Sequence, residues 1–133
     1  MILDTNTLSA IVAGVQPRRL SQKLMGGIGR LHTTSVNWAE ICYGLAKHPF
    51  GERLRLRYEE MILPFLDILD FDMDCSEIYG ELRAQLERKG QPLPDADLMV
   101  ASIALRHDMT LITGNTRHFE RIPVLKLENW LEG

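Results

Sequence analysis

Five side chains carry most of the chemistry this sequence offers: the carboxylates of Asp4, Glu40, Asp95 and Asp97, and the amide of Asn115. Brought together, acids repel and raise one another's pKa unless a cation sits between them. Oxygen ligands without a His or Cys cluster suit a hard ion, Mg2+ or Mn2+. Such ions act on phosphate esters, activating water and stabilising both the attacking and the leaving oxygen. Each residue also has a structural reading. Asp4 could cap a helix over Thr7–Ala13, as could Thr5, Asn6 or Thr7. Asn37-x-x-Glu40 reads as a capping box. Either Asp95 or Asp97 could cap the helix they introduce, but one cap needs only one acid. His32, His48, His107 and His118 are scattered, and none is assigned a catalytic role.

The elements that must position these residues alternate in type. Met1–Leu3 is a short apolar strand ending on Asp4, and the helix over Thr7–Ala13 stops at Gly14. Pro17–Met25 reads as a helix with Pro17 at a tolerated first-turn position, closed by Gly26, Gly27 and Gly29. Leu31–Ser35 is β-prone and leads into a helix over Val36–His48. There Trp38, Ile41, Cys42 and Leu45 form one apolar stripe, with Glu40 roughly opposite its middle. A helix over Glu52–Ile62 turns Arg53, Arg55, Arg57, Glu59 and Glu60 outward, and Phe65–Phe71 reads as a strand. Asp74-x-x-Glu77 is a capping signature for a helix carrying Ile78, Leu82 and Leu86, stopped at Gly90. Pro92 and Pro94 hold the next stretch out of helix. The helix over 97–107 is apolar nearly all round, which marks a buried helix. Met109–Thr113 and Pro123–Leu127 read as the last strands.

Strands alternating with helices predict an α/β fold, a parallel central sheet flanked by helices on both faces. In such a sheet the strand C-termini and the N-termini of the following helices share one edge, where ligands bind. Asp4, Glu40, Asp95, Asp97 and Asn115 are all expected there. With no repeats, linker or composition shift, residues 1–133 read as one domain.

The totals set limits. At 45% hydrophobic and 25% charged, the chain has the composition of an ordinary globular enzyme. A net charge of −3 does not advertise nucleic-acid binding. It does not exclude it either, because acids that hold cations are partly neutralised when loaded. No apolar run approaches the ~20 residues of a membrane span. The N-terminus lacks a secretion signal, and Cys42 and Cys75 lack metal-site spacing, so a reduced, cytoplasmic protein without membrane contact is expected. There is no Walker-type phosphate loop and no G-x-S-x-G elbow.

The opening LDTN, the helix VNWAEICYG, the segment PDADLMVASIA and the closing ITGNTRHF together resemble the PIN-domain nucleases, most nearly the VapC toxins of toxin–antitoxin pairs. The motifs are weak singly and specific in this order, and the resemblance runs nearly end to end, including LKLENW. It implies that Asp4, Glu40 and Asp97 match the family's acidic metal site. Asp95 matches a further acid that part of the family carries, and Asn115 stands where the family has a fourth acidic residue. It implies an endoribonuclease in which metal-activated water cuts RNA to a 5′-phosphate and a 3′-hydroxyl without a covalent intermediate. A sub-branch with a similar C-terminal third cuts the initiator tRNA. It further implies a VapB-like antitoxin that blocks the site, and dimerisation. Arg117 and Arg121 read as phosphate contacts or as ordinary surface arginines. Two rivals remain: a phosphohydrolase with Asp4 as nucleophile, disfavoured by Asn6 where a second acid is wanted, and a non-catalytic binding module.

Overall fold

The computed structural model describes residues 1–14, 17–26 and 30–132. Strand β1 (Ile2–Leu3) runs into helix α1 (Thr5–Ala13), which ends at Gly14 in the left-handed region, φ 74°. Glycine reaches that conformation without a Cβ clash. Helix α2 (Arg18–Met25) follows with Gly26 as its C-cap; the other glycines expected to close it, 27 and 29, lie outside the described residues. Then come β2 (Leu31–Thr34), α3 (Ser35–Lys47), α4 (Gly51–Met61), one 3-10 turn (Leu63–Phe65) and β3 (Leu66–Leu69). Helices α5 (Met73–Arg88) and α6 (Asp95–Arg106), β4 (Leu111–Ile112), α7 (Thr116–Phe119) and β5 (Leu127–Glu128) complete the order.

All strand pairs are parallel, in the order β3-β2-β1-β4-β5. The chain builds outward from β1 through β2 to β3, then crosses back to lay β4 on the other side of β1. That reversal opens a crevice at the carboxyl ends of β1 and β4. Ile2 pairs with Leu111 and Leu3 with Ile112. Successive strand residues face opposite sides of a sheet, so the two pairs feed two cores. Ile2 and Leu111 pack with Leu82, Leu86, Ile103 and Phe119. Leu3 and Ile112 pack with Leu8, Ile11, Tyr58 and Trp130. The sheet is therefore covered on both faces, as the alternation of elements predicts.

Helix α6 buries Leu98, Val100, Ala101, Ser102, Ile103 and Ala104, leaving no polar stripe along its middle. The Ser102 hydroxyl donates to the Leu98 carbonyl at 2.6 Å. Left unpaired, such a buried group costs about 1–3 kcal/mol. Both cysteines are free thiols. Among the described residues no helix is long and apolar enough to cross a membrane.

Two expected capping boxes do not form. The Thr34 hydroxyl caps α3, accepting the Asn37 N–H at 3.0 Å and donating to Asn37 Oδ1 at 2.8 Å. Asp72, rather than Asp74, caps α5 by accepting the Cys75 N–H at 3.0 Å. Each helix begins earlier than its acid-bearing pattern suggests. The last strand is Leu127–Glu128 rather than Pro123–Leu127, because Leu111 and Ile112 set the register of their partners. The strands expected over Phe65–Phe71 and Met109–Thr113 are likewise trimmed, to Leu66–Leu69 and Leu111–Ile112.

Candidate active site

Asp4 leaves β1 at the crevice and caps α1, its Oδ1 accepting the Thr7 N–H at 2.9 Å. An ionised carboxylate offers about four acceptor positions, so one cap bond leaves most of them to the cleft. Capping and site readings hold together for this residue.

Glu40 sits in the second turn of α3. Since the Asn37 N–H is already taken by Thr34, Glu40 has no capping box to complete. Asn37 Nδ2 donates to Thr5 Oγ1 at 3.2 Å and ties the first turns of α1 and α3 together, which fixes Asp4 relative to Glu40. Partial burial pushes the Glu40 carboxyl above its usual range; Asp97 and then Asp4 push the same way, against a hydrogen bond from Thr5. Glu40 is exposed as a whole residue, so the crowding by two acids is the more informative part of that shift.

Asp97 and Asp95 both lie in the first turn of α6, yet neither is its cap: Pro94 is the N-cap and makes no side-chain cap bond. Residues two apart on a helix point about 200° apart. Asp97, 29% exposed, turns into the cleft. Asp95, 68% exposed, turns away and accepts from the Tyr79 hydroxyl at 2.8 Å and from Arg83 at 3.2 Å. The expectation that Asp95 joins the other acids is thereby corrected.

Asn115 follows β4, its N–H held by Thr113 Oγ1 at 3.0 Å. Asp4, Glu40, Asp97 and Asn115 line one cleft of about 120 Å³, together with Thr5, Asn6 and Asn37. A larger groove of about 690 Å³ opens between α3 and α4, but among the described residues Glu52 is the only acid lining it. The acids expected to carry the chemistry line the smaller cleft.

One residue at the site escaped the sequence reading. His118 Nδ1 lies 3.1 Å from Asp97 Oδ2 and 3.0 Å from Asn115 Nδ2. Its spacing of three from Asn115 was the available signal, since such residues neighbour each other on a helical turn. Arg121 donates to the Pro92 carbonyl at 2.8 Å, tying down the loop before α6, while Arg117 is exposed.

The donor set fits a hard divalent ion: three carboxylates from three elements, one of them raised by partial burial and by the other two. Among the described residues no three His, Cys, Asp or Glu side chains are already grouped to hold a metal.

The PIN domain model matches residues 1–125. Ribonuclease VapC2 of Rickettsia felis is 41% identical over 97 residues, 73% of this chain and 72% of that protein. The chain belongs to the VapC branch of the PIN-domain family. The tRNA(fMet)-specific endonuclease VapC of Salmonella typhimurium is 33% identical over 129 residues, 97% of this chain and 96% of that protein. Among solved structures, VapBC2 from Rickettsia felis, bound to a DNA fragment from its promoter, superposes with a TM-score of 0.87 and 34% identity over 97% of each chain. The DNA-bound VapBC from Salmonella typhimurium gives 0.86 and 32%, covering 97% of this chain and 96% of that one. The cleft of this VapC-family chain thus sits on the family's own sheet, at the edge where β1 and β4 end.

Proposed function

We propose that this protein is an endoribonuclease dependent on Mg2+ or Mn2+, acting on RNA such as a tRNA, and the toxin of a toxin–antitoxin pair restrained by a VapB-like antitoxin. One observation carries the reading: Asp4, Glu40 and Asp97, far apart in sequence, line a single cleft at the sheet's reversal point. The names of the VapC relatives, ribonuclease and tRNA endonuclease, support it.

A divalent ion, when bound, supplies positive charge to the scissile phosphate and lets water act as a nucleophile near neutral pH. Asp4, Glu40 and Asp97 are the residues that would hold it. The Thr7 N–H fixes Asp4, and the Thr5–Asn37 bond fixes the helix that carries Glu40. Among the described residues no Ser, Cys or Lys lines the cleft. Of the hydroxyls there, Thr5 Oγ1 accepts from Asn37 Nδ2 and Thr113 Oγ1 accepts from the Asn115 N–H. The nucleophile in this reading is water and the products are a 5′-phosphate and a 3′-hydroxyl, as the resemblance to the VapC nucleases implies. The phosphohydrolase rival wants an acid where Asn6 stands.

The deciding experiment incubates the purified chain with RNA. Cleavage is expected to stop in EDTA and return with Mg2+ or Mn2+, and a co-expressed antitoxin is expected to co-purify and silence it. Cleavage undiminished in EDTA overturns the metal dependence. A phosphate label trapped on Asp4 installs the rival.

A further inference from the structure

We propose that His118 is a positioning residue: its Nδ1–H holds the Asp97 carboxylate, with the Asn115 amide as the third member of the array. The inference rests on the metal-dependent reading of the cleft. His118 Nδ1 stands 3.1 Å from Asp97 Oδ2 and 3.0 Å from the terminal amide of Asn115. A neutral ring nitrogen carries either a proton or a lone pair. A lone pair at Nδ1 would face the lone pairs of the carboxylate. A proton there donates to Asp97, and the Asn115 amide then presents its oxygen to the same N–H. That choice is open to a side-chain amide, because its orientation follows its hydrogen-bond network. The Nδ1–H tautomer satisfies all three groups, and it leaves the lone pair on Nε2.

The ring is carried on an anchored turn. Phe119, next in sequence, is 5% exposed in the core, and the His118 N–H bonds the Asn115 carbonyl at 3.2 Å. Asp97 sits in a first turn with no capping role, so no backbone amide fixes its side chain. Held at Oδ2 by His118, it is limited to few rotamers and keeps its other oxygen for a cation. Partners of this kind orient ligating carboxylates, and losing one typically lowers metal affinity about 10–100-fold. Asn115 then shares the Nδ1–H with Asp97.

The test exploits side-chain geometry. In His118→Asn an amide N–H stands one bond beyond Cγ, as Nδ1–H does; in His118→Gln it stands near the place of Nε2. Mn2+ binding to the metal-free full chain is measured by calorimetry, with melting curves to confirm folding. His118→Ala and His118→Gln are expected to lose about 10–100-fold in affinity, and His118→Asn to recover most of it. A role in packing alone would not favour the smaller Asn over Gln. His118→Ala binding Mn2+ as tightly as wild type, or Asn and Gln behaving alike, overturns the proposal. In the wild-type chain, ring-nitrogen NMR at mildly alkaline pH is expected to place the proton on Nδ1; a proton on Nε2 also overturns it. Should the wild type take up no Mn2+, the metal reading fails, while the NMR arm still decides the His118–Asp97 bond.

Discussion

Asp4 and Thr7 share a hydrogen bond of 2.9 Å that makes one carboxylate both a helix cap and a wall of the cleft. The two roles separate by substitution. Asp4→Asn keeps a good cap and loses the charge, so it is expected to fold like wild type and fail to cut RNA. Asp4→Ala loses both, and the missing cap costs about 1 kcal/mol, or roughly 4 °C of melting temperature for a domain of this size. Thermal melts beside cleavage assays check this. Equal melting temperatures for the two variants would deny Asp4 its cap.

Asp97 and Asp95 are two residues apart and face different surroundings. Asp97→Asn is expected to abolish cleavage with the fold intact, since the amide can still accept from His118 but contributes no charge to an ion. Asp95→Asn is expected to leave cleavage within a few-fold of wild type, because it removes only charge from an exposed contact with Tyr79 and Arg83. Parallel cleavage rates and survival of expressing cells measure the difference. A dead Asp95→Asn enzyme would return that acid to the site.

Glu40 supplies a pH dependence with a definite sign. Its folded-state pKa is raised, by partial burial and by Asp97 and Asp4. A raised acid resists ionisation in the fold, so its charge destabilises the metal-free chain once pH exceeds the folded pKa. The penalty disappears below the unfolded value, where both states are protonated. Glu40→Gln is therefore expected to raise the melting temperature of the metal-free protein at neutral pH. The gain should shrink as the pH falls through the glutamate range. Melts across that range, in EDTA, read it directly; a gain independent of pH would contradict it.

Much of the architecture was legible in single stretches. Local apolar patterning marked α3, α5 and the all-round apolar α6, and glycines marked the ends of α1 and α5 at Gly14 and Gly90, both at positive φ. Caps were less legible. Thr34 and Asp72 lie within a few residues of Asn37 and Asp74, and each could start a helix. The choice depends on where the preceding segment leaves the sheet, which local pattern does not record.

The sequence by itself pointed to Asp4, Glu40, Asp95, Asp97 and Asn115 at one sheet edge, and all of these but Asp95 line one cleft. The shared edge follows because a parallel sheet sends strand ends and helix starts to the same side. Only the tertiary structure decided the strand order, which places the crevice between β1 and β4. It also decided which of Asp95 and Asp97 faces that crevice, since the rotation of α6 is set by the residues it buries against the core. His118 belongs to the same class: its partner Asp97 lies 21 positions away, and packing of Phe119 brings the two together.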